Sequence, residues 1–159
     1  MGLSKPIFII DDDRRDRDMI ERAITACHPD VRTKTFGVLE DSYGPILHER
    51  PACIILDDYI GHLNALDTLQ FLSKLSMRGR IIVVSSSCMN KRRSALIGAG
   101  CADYLEKDKV AEDPSILGQA IQAVVDWQIK RTQKAAEPTI FDTLPELRNL
   151  PPLGRRATA

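Results

Sequence analysis

"IFIIDDDRRDRD", Ile7 to Asp18, runs four apolar residues straight into three consecutive carboxylates. Four apolar residues in a row fit a short strand covered on both faces, and Met19, Ile20, Ala23, Ile24 and Cys27 then recur at helical spacing. The order is strand, acidic turn, amphipathic helix. Two carboxylates held about 4 Å apart repel by roughly 4 kcal/mol at an effective dielectric of 20, so a cation is expected where this strand ends.

The same rhythm returns along the chain. "VRTKTF" (Val31 to Phe36) alternates like a half-exposed strand, and a weaker helix follows, interrupted by Gly44 and Pro45. "ACIILDD" (Ala52 to Asp58) is again an apolar run closed by acids, with Leu66, Leu69, Leu72 and Leu75 marking the next helix face. "RIIVVSSS" (Arg80 to Ser87) leads to a helix around Lys91 to Ala99 that Gly100 stops, and "CADYLEK" (Cys101 to Lys107) supplies a fifth strand. A last helix begins at Asp113 and Pro114, with Leu117, Ile121, Val124 and Gln128 on one side. Five strands alternating with five helices predict an α/β fold with a parallel sheet covered on both faces.

In such sheets, ligands bind beyond the carboxyl ends of the strands. That rule brings Asp11, Asp12 and Asp13, then Asp57 and Asp58, then Ser85, then Lys107 to one edge. All-oxygen ligands beside a phosphate suit Mg²⁺. Formally, Asp11, Asp12 and Asp57 give −3 while Mg²⁺ and Lys107 give +3, so a loaded pocket could admit a phosphoryl group.

At 159 residues, 43% of them hydrophobic, the chain can bury one core. Its 22 basic and 22 acidic residues balance, which leaves no electrostatic footprint for nucleic acid or a membrane surface. The apolar runs are too short to span a bilayer and the start lacks a secretory h-region, so a cytoplasmic location is expected. Cys27, Cys53, Cys88 and Cys101 show no CxxC spacing, which suits reduced, packed thiols.

The ordered set "IIDDD", "IILDD", "VVSS" and "ADYLEK" resembles the receiver domains of two-component response regulators. The resemblance implies a flavodoxin-like, doubly wound sheet of order 2-1-3-4-5 over residues 1–132, leaving 133–159 as a proline-rich, partly apolar tail. It also implies Asp57 as phosphoacceptor and Asp11, Asp12, Asp57 and the Tyr59 carbonyl as ligands of Mg²⁺. Ser85 is then the switch hydroxyl, Lys107 the phosphate-binding lysine and Tyr104 the switch aromatic. The protein would catalyse only its own phosphorylation and dephosphorylation, taking the group from a histidine kinase or phosphotransfer protein and passing the signal to a protein target.

Gly61 stands where the family usually has proline, Asn64 and Ala65 where it has Asp-Gly, and Asp108 where proline follows the lysine. The last departure bears on the family's cis bond, which is costly before a non-proline residue. Strand alternation turns Asp57 and Asp58 to opposite faces, and the resemblance implies Asp57, because the family's acceptor directly follows the apolar run. Two other readings remain open: a partner-binding adaptor without phosphorylation, and a phosphatase of the haloacid dehalogenase type. Arg14 and Arg15 after the Asp11–Asp13 DxD weigh against the latter.

The 25 residues after Lys134 hold no room for a DNA-binding or catalytic domain, so a stand-alone receiver acting through protein contacts, or a phosphoryl relay or sink, is expected. Ile140, Phe141, Leu144, Leu147, Leu150 and Leu153 make the tail too apolar for comfortable disorder. It is expected to dock near Trp127 on its own body, or on a second copy in a homodimer.

Overall fold

Strand β1 (Ile7–Ile10) is entirely buried and pairs in parallel with a strand on either side. The computed structural model describes residues 4–86 and 90–136, and the chain divides into two units at Trp127/Gln128. In chain order β1 is followed by α1 (Arg14–Cys27), β2 (Thr33–Phe36), α2 (Tyr43–Glu49), β3 (Cys53–Asp57), β4 (Tyr59–Ile60), β5 (Leu63–Asn64) and α3 (Ala65–Lys74). Then come β6 (Ile81–Ser85), α4 (Asn90–Gly98), β7 (Asp103–Glu106), α5 (Lys107–Glu112) and α6 (Ser115–Ala136). Among the described residues no helix is long and apolar enough to cross a membrane.

Five strands form one parallel sheet in the order β2-β1-β3-β6-β7. This is the expected doubly wound order, renumbered because a small antiparallel hairpin, β4 and β5, intervenes. Side-chain alternation divides the core cleanly. Phe8, Ile10, Ile54, Leu56, Ile81, Val83 and Tyr104 face α2, α3 and α4, where they meet Ile46, Leu69, Leu72 and Leu96. Ile7, Ile9, Cys53, Ile55, Ile82 and Val84 face α1, α5 and α6, against Ile20, Ile24, Val110, Leu117 and Ile121. Full burial of each such side chain stabilises by about 1.5–3 kcal/mol, which explains why these strands read as continuous apolar runs.

The helix count differs from the sequence expectation: the described residues form six α-helices rather than five. "CADYLEK" gives up its strand at Glu106, and Lys107 opens a six-residue helix that ends before Asp113 and Pro114. Asp113 then accepts from the Ser115 N–H at 3.0 Å and so helps to start α6. Gly44 and Pro45 do not break α2, because both lie in its first turn, where the proline's missing N–H has no intrahelical partner to lose. Every peptide among the described residues is trans, including the one after Lys107. The tail from residue 137 onward, Cys88 and the docking expected near Trp127 lie outside the described residues. Cys53 and Cys101 are buried and free, and burial pushes the Cys101 thiol up to about 11, in keeping with packed, unreactive thiols.

Candidate functional site

The three consecutive carboxylates have three different surroundings. Asp11, on the β1 face that turns toward α1 and α5, is buried, and its Oδ1 accepts the Asp13 N–H at 2.8 Å. Asp12 is exposed and accepts the Gly61 N–H through Oδ2 at 3.1 Å. Asp13 is the N-cap of α1, with Oδ1 taking the Arg15 N–H at 2.7 Å.

Asp57 closes β3 with its side chain 13% exposed. One carboxylate oxygen from each of Asp11, Asp12 and Asp57 lies within 4.8 Å of the others. Opposite oxygens around a Mg²⁺ ion stand about 4.2 Å apart, so this cluster has the size and the donor chemistry for one hard cation. Tyr59, two residues on, opens the β4–β5 hairpin and is exposed.

Lys107 reaches this cluster from the far side of β6. Its ammonium donates to Asp11 Oδ2 at 2.8 Å and Asp16 Oδ2 at 2.6 Å, and pairs with Asp57 Oδ1 at 2.9 Å. Asp16 is a residue that the sequence reading missed. It lies in the first turn of α1, where an acid is already favoured by the helix dipole, and nothing in its spacing points to a partner 91 positions away. With it the formal count becomes −4 from the acids and +1 from Lys107, so a divalent ion leaves the pocket at −1 rather than neutral.

The titration of these groups follows from burial. Desolvation pushes Asp11 and Asp57 above the ordinary carboxylate value of 3.8, even though Lys107 pulls both down. Burial acts to lower the Lys107 ammonium, but its hydrogen bonds to Asp11, Asp16 and Asp57 overcome that and hold it above its ordinary 10.5. The site thus stores uncompensated negative charge that a metal would relieve.

Asp58 and Ser85 belong to the other face. Alternation turns Asp58 away from Asp57 and toward α4, where it is 2% exposed and held by Arg92. Ser85 ends β6 on that same face, and its Oγ donates to Asp58 Oδ2 at 3.4 Å. Tyr104 is buried in the core beside Leu96, with its ring turned inward. So Asp11, Asp12, Asp57 and Lys107 are brought together, while Ser85 is engaged with the neighbour of Asp57.

The hairpin explains Gly61. Its φ of +60° excludes proline and strains any residue with a Cβ, and its N–H is committed to Asp12. Asn64 is the N-cap of α3, accepting from the Leu66 and Asp67 N–H groups at 2.9 and 3.2 Å.

Comparison with known proteins gives the same picture. The probable C4-dicarboxylate response regulator DctR of Bacillus subtilis (strain 168) is 26% identical over 146 residues, covering 91% of this chain, and the chain spans 62% of that relative's length. The receiver domain protein (CheY-like) from Methanospirillum hungatei JF-1 shares the fold at 20% identity with a TM-score of 0.67, over 80% of this chain and 98% of that one. A response regulator receiver domain protein from Clostridium thermocellum does so at 17% identity and 0.66, over 78% and 96%. Residues 7–121 match the response regulator receiver domain as a family, and that span holds the entire acidic cluster together with Lys107 and Ser85: this chain is a member of that family.

Proposed function

We propose that the protein accepts a phosphoryl group on Asp57 from the phosphohistidine of a histidine kinase or phosphotransfer protein, and that the phosphorylated form presents an altered surface to a protein target. The observation that carries this reading is the convergence of Asp11, Asp12 and Asp57 within 4.8 Å, with Lys107 at 2.9 Å from Asp57. Asp11, Asp12, Asp57 and the Tyr59 carbonyl are the groups that would hold Mg²⁺, whose charge would neutralise the oxygens of the transferring group.

The residues of the chain itself divide the remaining work. An Asp57 carboxylate oxygen attacks phosphorus in line, the P–N bond to imidazole breaks, and its electron pair returns to the ring. The attacking group is the Asp57 carboxylate, which has no proton to give up, so the step needs no base. The Lys107 ammonium sits where it can pass from the Asp57 carboxylate to a phosphoryl oxygen on the same side chain. Asp11 and Asp16 keep that ammonium anchored, so it arrives without a large loss of side-chain entropy. Hydrolysis of the acyl phosphate by water resets the protein.

Ser85 and Tyr104 are assigned to the switch. The Ser85 hydroxyl donates to the phosphoryl group, and the end of β6 moves with it, changing the surface of α4, β7 and α5. Output through protein contacts, in the cytoplasm and without direct DNA binding, belongs to the same proposal.

The test is an intact-mass measurement after incubation with Mg²⁺ and acetyl phosphate. The reading requires the mass of one added phosphoryl group, lost when a chelator is present. An unchanged mass in both conditions sinks it and favours a partner-binding adaptor. Steady release of inorganic phosphate from small phosphomonoesters would favour a phosphatase instead.

A further inference from the structure

A buried carboxylate needs a partner, and Asp58 has an unusually complete one. Arg92 Nε donates to Asp58 Oδ1 at 2.8 Å and to Oδ2 at 2.6 Å, while Nη2 donates to Oδ1 at 2.7 Å. The same guanidinium lies 4.7 Å from the centre of the Tyr59 ring. A single α4 side chain therefore grips the two residues that follow Asp57. The pairing raises the Arg92 guanidinium above its ordinary value through the Asp58 hydrogen bond, against burial.

The third member of the group is the hydroxyl to which the proposed function gives a task. Ser85 Oγ donates to Asp58 Oδ2, at the long end of hydrogen-bonding distance. A hydroxyl has one proton to give. It can point that proton at Asp58 or at a phosphoryl oxygen on Asp57, and the two choices exclude each other. Strand alternation makes the competition structural: Ser85 shares a face with Asp58, whereas Asp57 faces Lys107.

We infer that Asp58 and Arg92 form a latch that holds Ser85 in its unphosphorylated position, with Arg92 as a positioning residue acting through Asp58. Arg92 fixes the Asp58 carboxylate so that Oδ2 faces Ser85, and it ties that arrangement to α4. Phosphorylation recruits Ser85 only by taking it from the latch, which biases the protein toward its resting form and links release of the hydroxyl to movement of α4. A lysine could supply the charge but not the forked grip on both oxygens.

This inference rests on the proposed function, and the experiment separates the two. The probe is beryllium fluoride, a phosphoryl mimic, titrated calorimetrically into the full chain with saturating Mg²⁺. Removing both latch members together, as Asp58→Leu with Arg92→Met, avoids leaving a buried unpaired charge. The latch predicts at least about fivefold tighter binding in the double variant, the lower end of ordinary coupling between sites. It also predicts that this gain disappears when Ser85→Ala is added to both proteins. Arg92→Lys, which keeps the charge, is expected to give a smaller gain of the same sign and carries the test if the double variant fails to fold. Equal binding by wild type and latch variants overturns the latch alone, as does a gain that survives Ser85→Ala. Failure of the wild type to bind the probe at all overturns the phosphoacceptor reading and the latch with it.

Discussion

Lys107 Nζ lies 2.9 Å from Asp57 Oδ1, although β6 separates the strand that ends at Asp57 from the strand that precedes Lys107. The lysine reaches across the edge of the sheet because it is the first residue of α5, directly beyond the carboxyl end of β7. There it is the ammonium shared by Asp11, Asp16 and Asp57. Replacing it by Met leaves three partly or fully buried carboxylates without that partner, a change of the kind that costs about 3–5 kcal/mol. Chemical denaturation in the presence of chelator measures it, and a loss below about 1 kcal/mol would mean that solvent already screens the cluster.

The same ammonium sets an alkaline limit. Its folded pKa is raised above 10.5, so its contribution is fully present below that value and is lost as pH rises through the folded value. Wild-type stability should fall as pH rises above the ordinary lysine value of 10.5, and the difference between wild type and Lys107→Met should shrink over that range. A difference that stays constant from pH 9 upward would contradict the assigned partners.

Asp57 has the opposite consequence at neutral pH. Burial raises its folded pKa above 3.8, so its favourable contribution exists only below the ordinary carboxylate value and is lost as pH rises through the folded one. Above that range the buried carboxylate carries its desolvation cost in the metal-free fold. Asp57→Asn should therefore melt higher than wild type at pH 7 in chelator, with the gap closing on acidification toward the ordinary carboxylate value. A lower melting temperature for Asp57→Asn would show that its ion pair with Lys107 outweighs desolvation.

Metal should reverse that cost. If Mg²⁺ binds the folded cluster alone, a concentration one hundred times its Kd stabilises by about 2.7 kcal/mol. Asp12→Ala should remove most of this while leaving the melt in chelator little changed, because Asp12 is exposed and its one described contact is the Gly61 N–H. An Mg²⁺-induced shift of equal size in Asp12→Ala would exclude that residue as a ligand.

Gly61 can be tested without touching the acids. At φ +60° an added Cβ meets no neighbour within 4 Å, so Gly61→Ala should cost only backbone strain, about 1–2 kcal/mol. Gly61→Pro should cost more, because it also removes the N–H that Asp12 accepts. Equal costs, read by denaturant titration, would show that the hairpin rearranges.

The strands were legible because burial on both faces leaves little room for polar residues, and the acids were legible because each group follows such a run. Sheet topology then brings the strand ends together whatever the helices do. What escaped the sequence were contacts whose partners lie on helices. Asp16 looks like an ordinary dipole-favoured acid, and Arg92 like one of three consecutive bases in "KRR". In the sequence Asp58 stands only as a rival to Asp57, though the alternation that sets the two on opposite faces also turns Asp58 toward α4 and Ser85. The β4–β5 hairpin and the six residues of α5 are too short for periodicity to register.

The most direct measurement of the central claim locates the phosphoryl group among adjacent acids. Wild type, Asp57→Asn and Asp58→Asn are incubated with Mg²⁺ and acetyl phosphate, and their intact masses are compared. Labelling of wild type and Asp58→Asn, with none on Asp57→Asn, is the predicted result. Labelling that persists in Asp57→Asn and vanishes in Asp58→Asn would contradict the account.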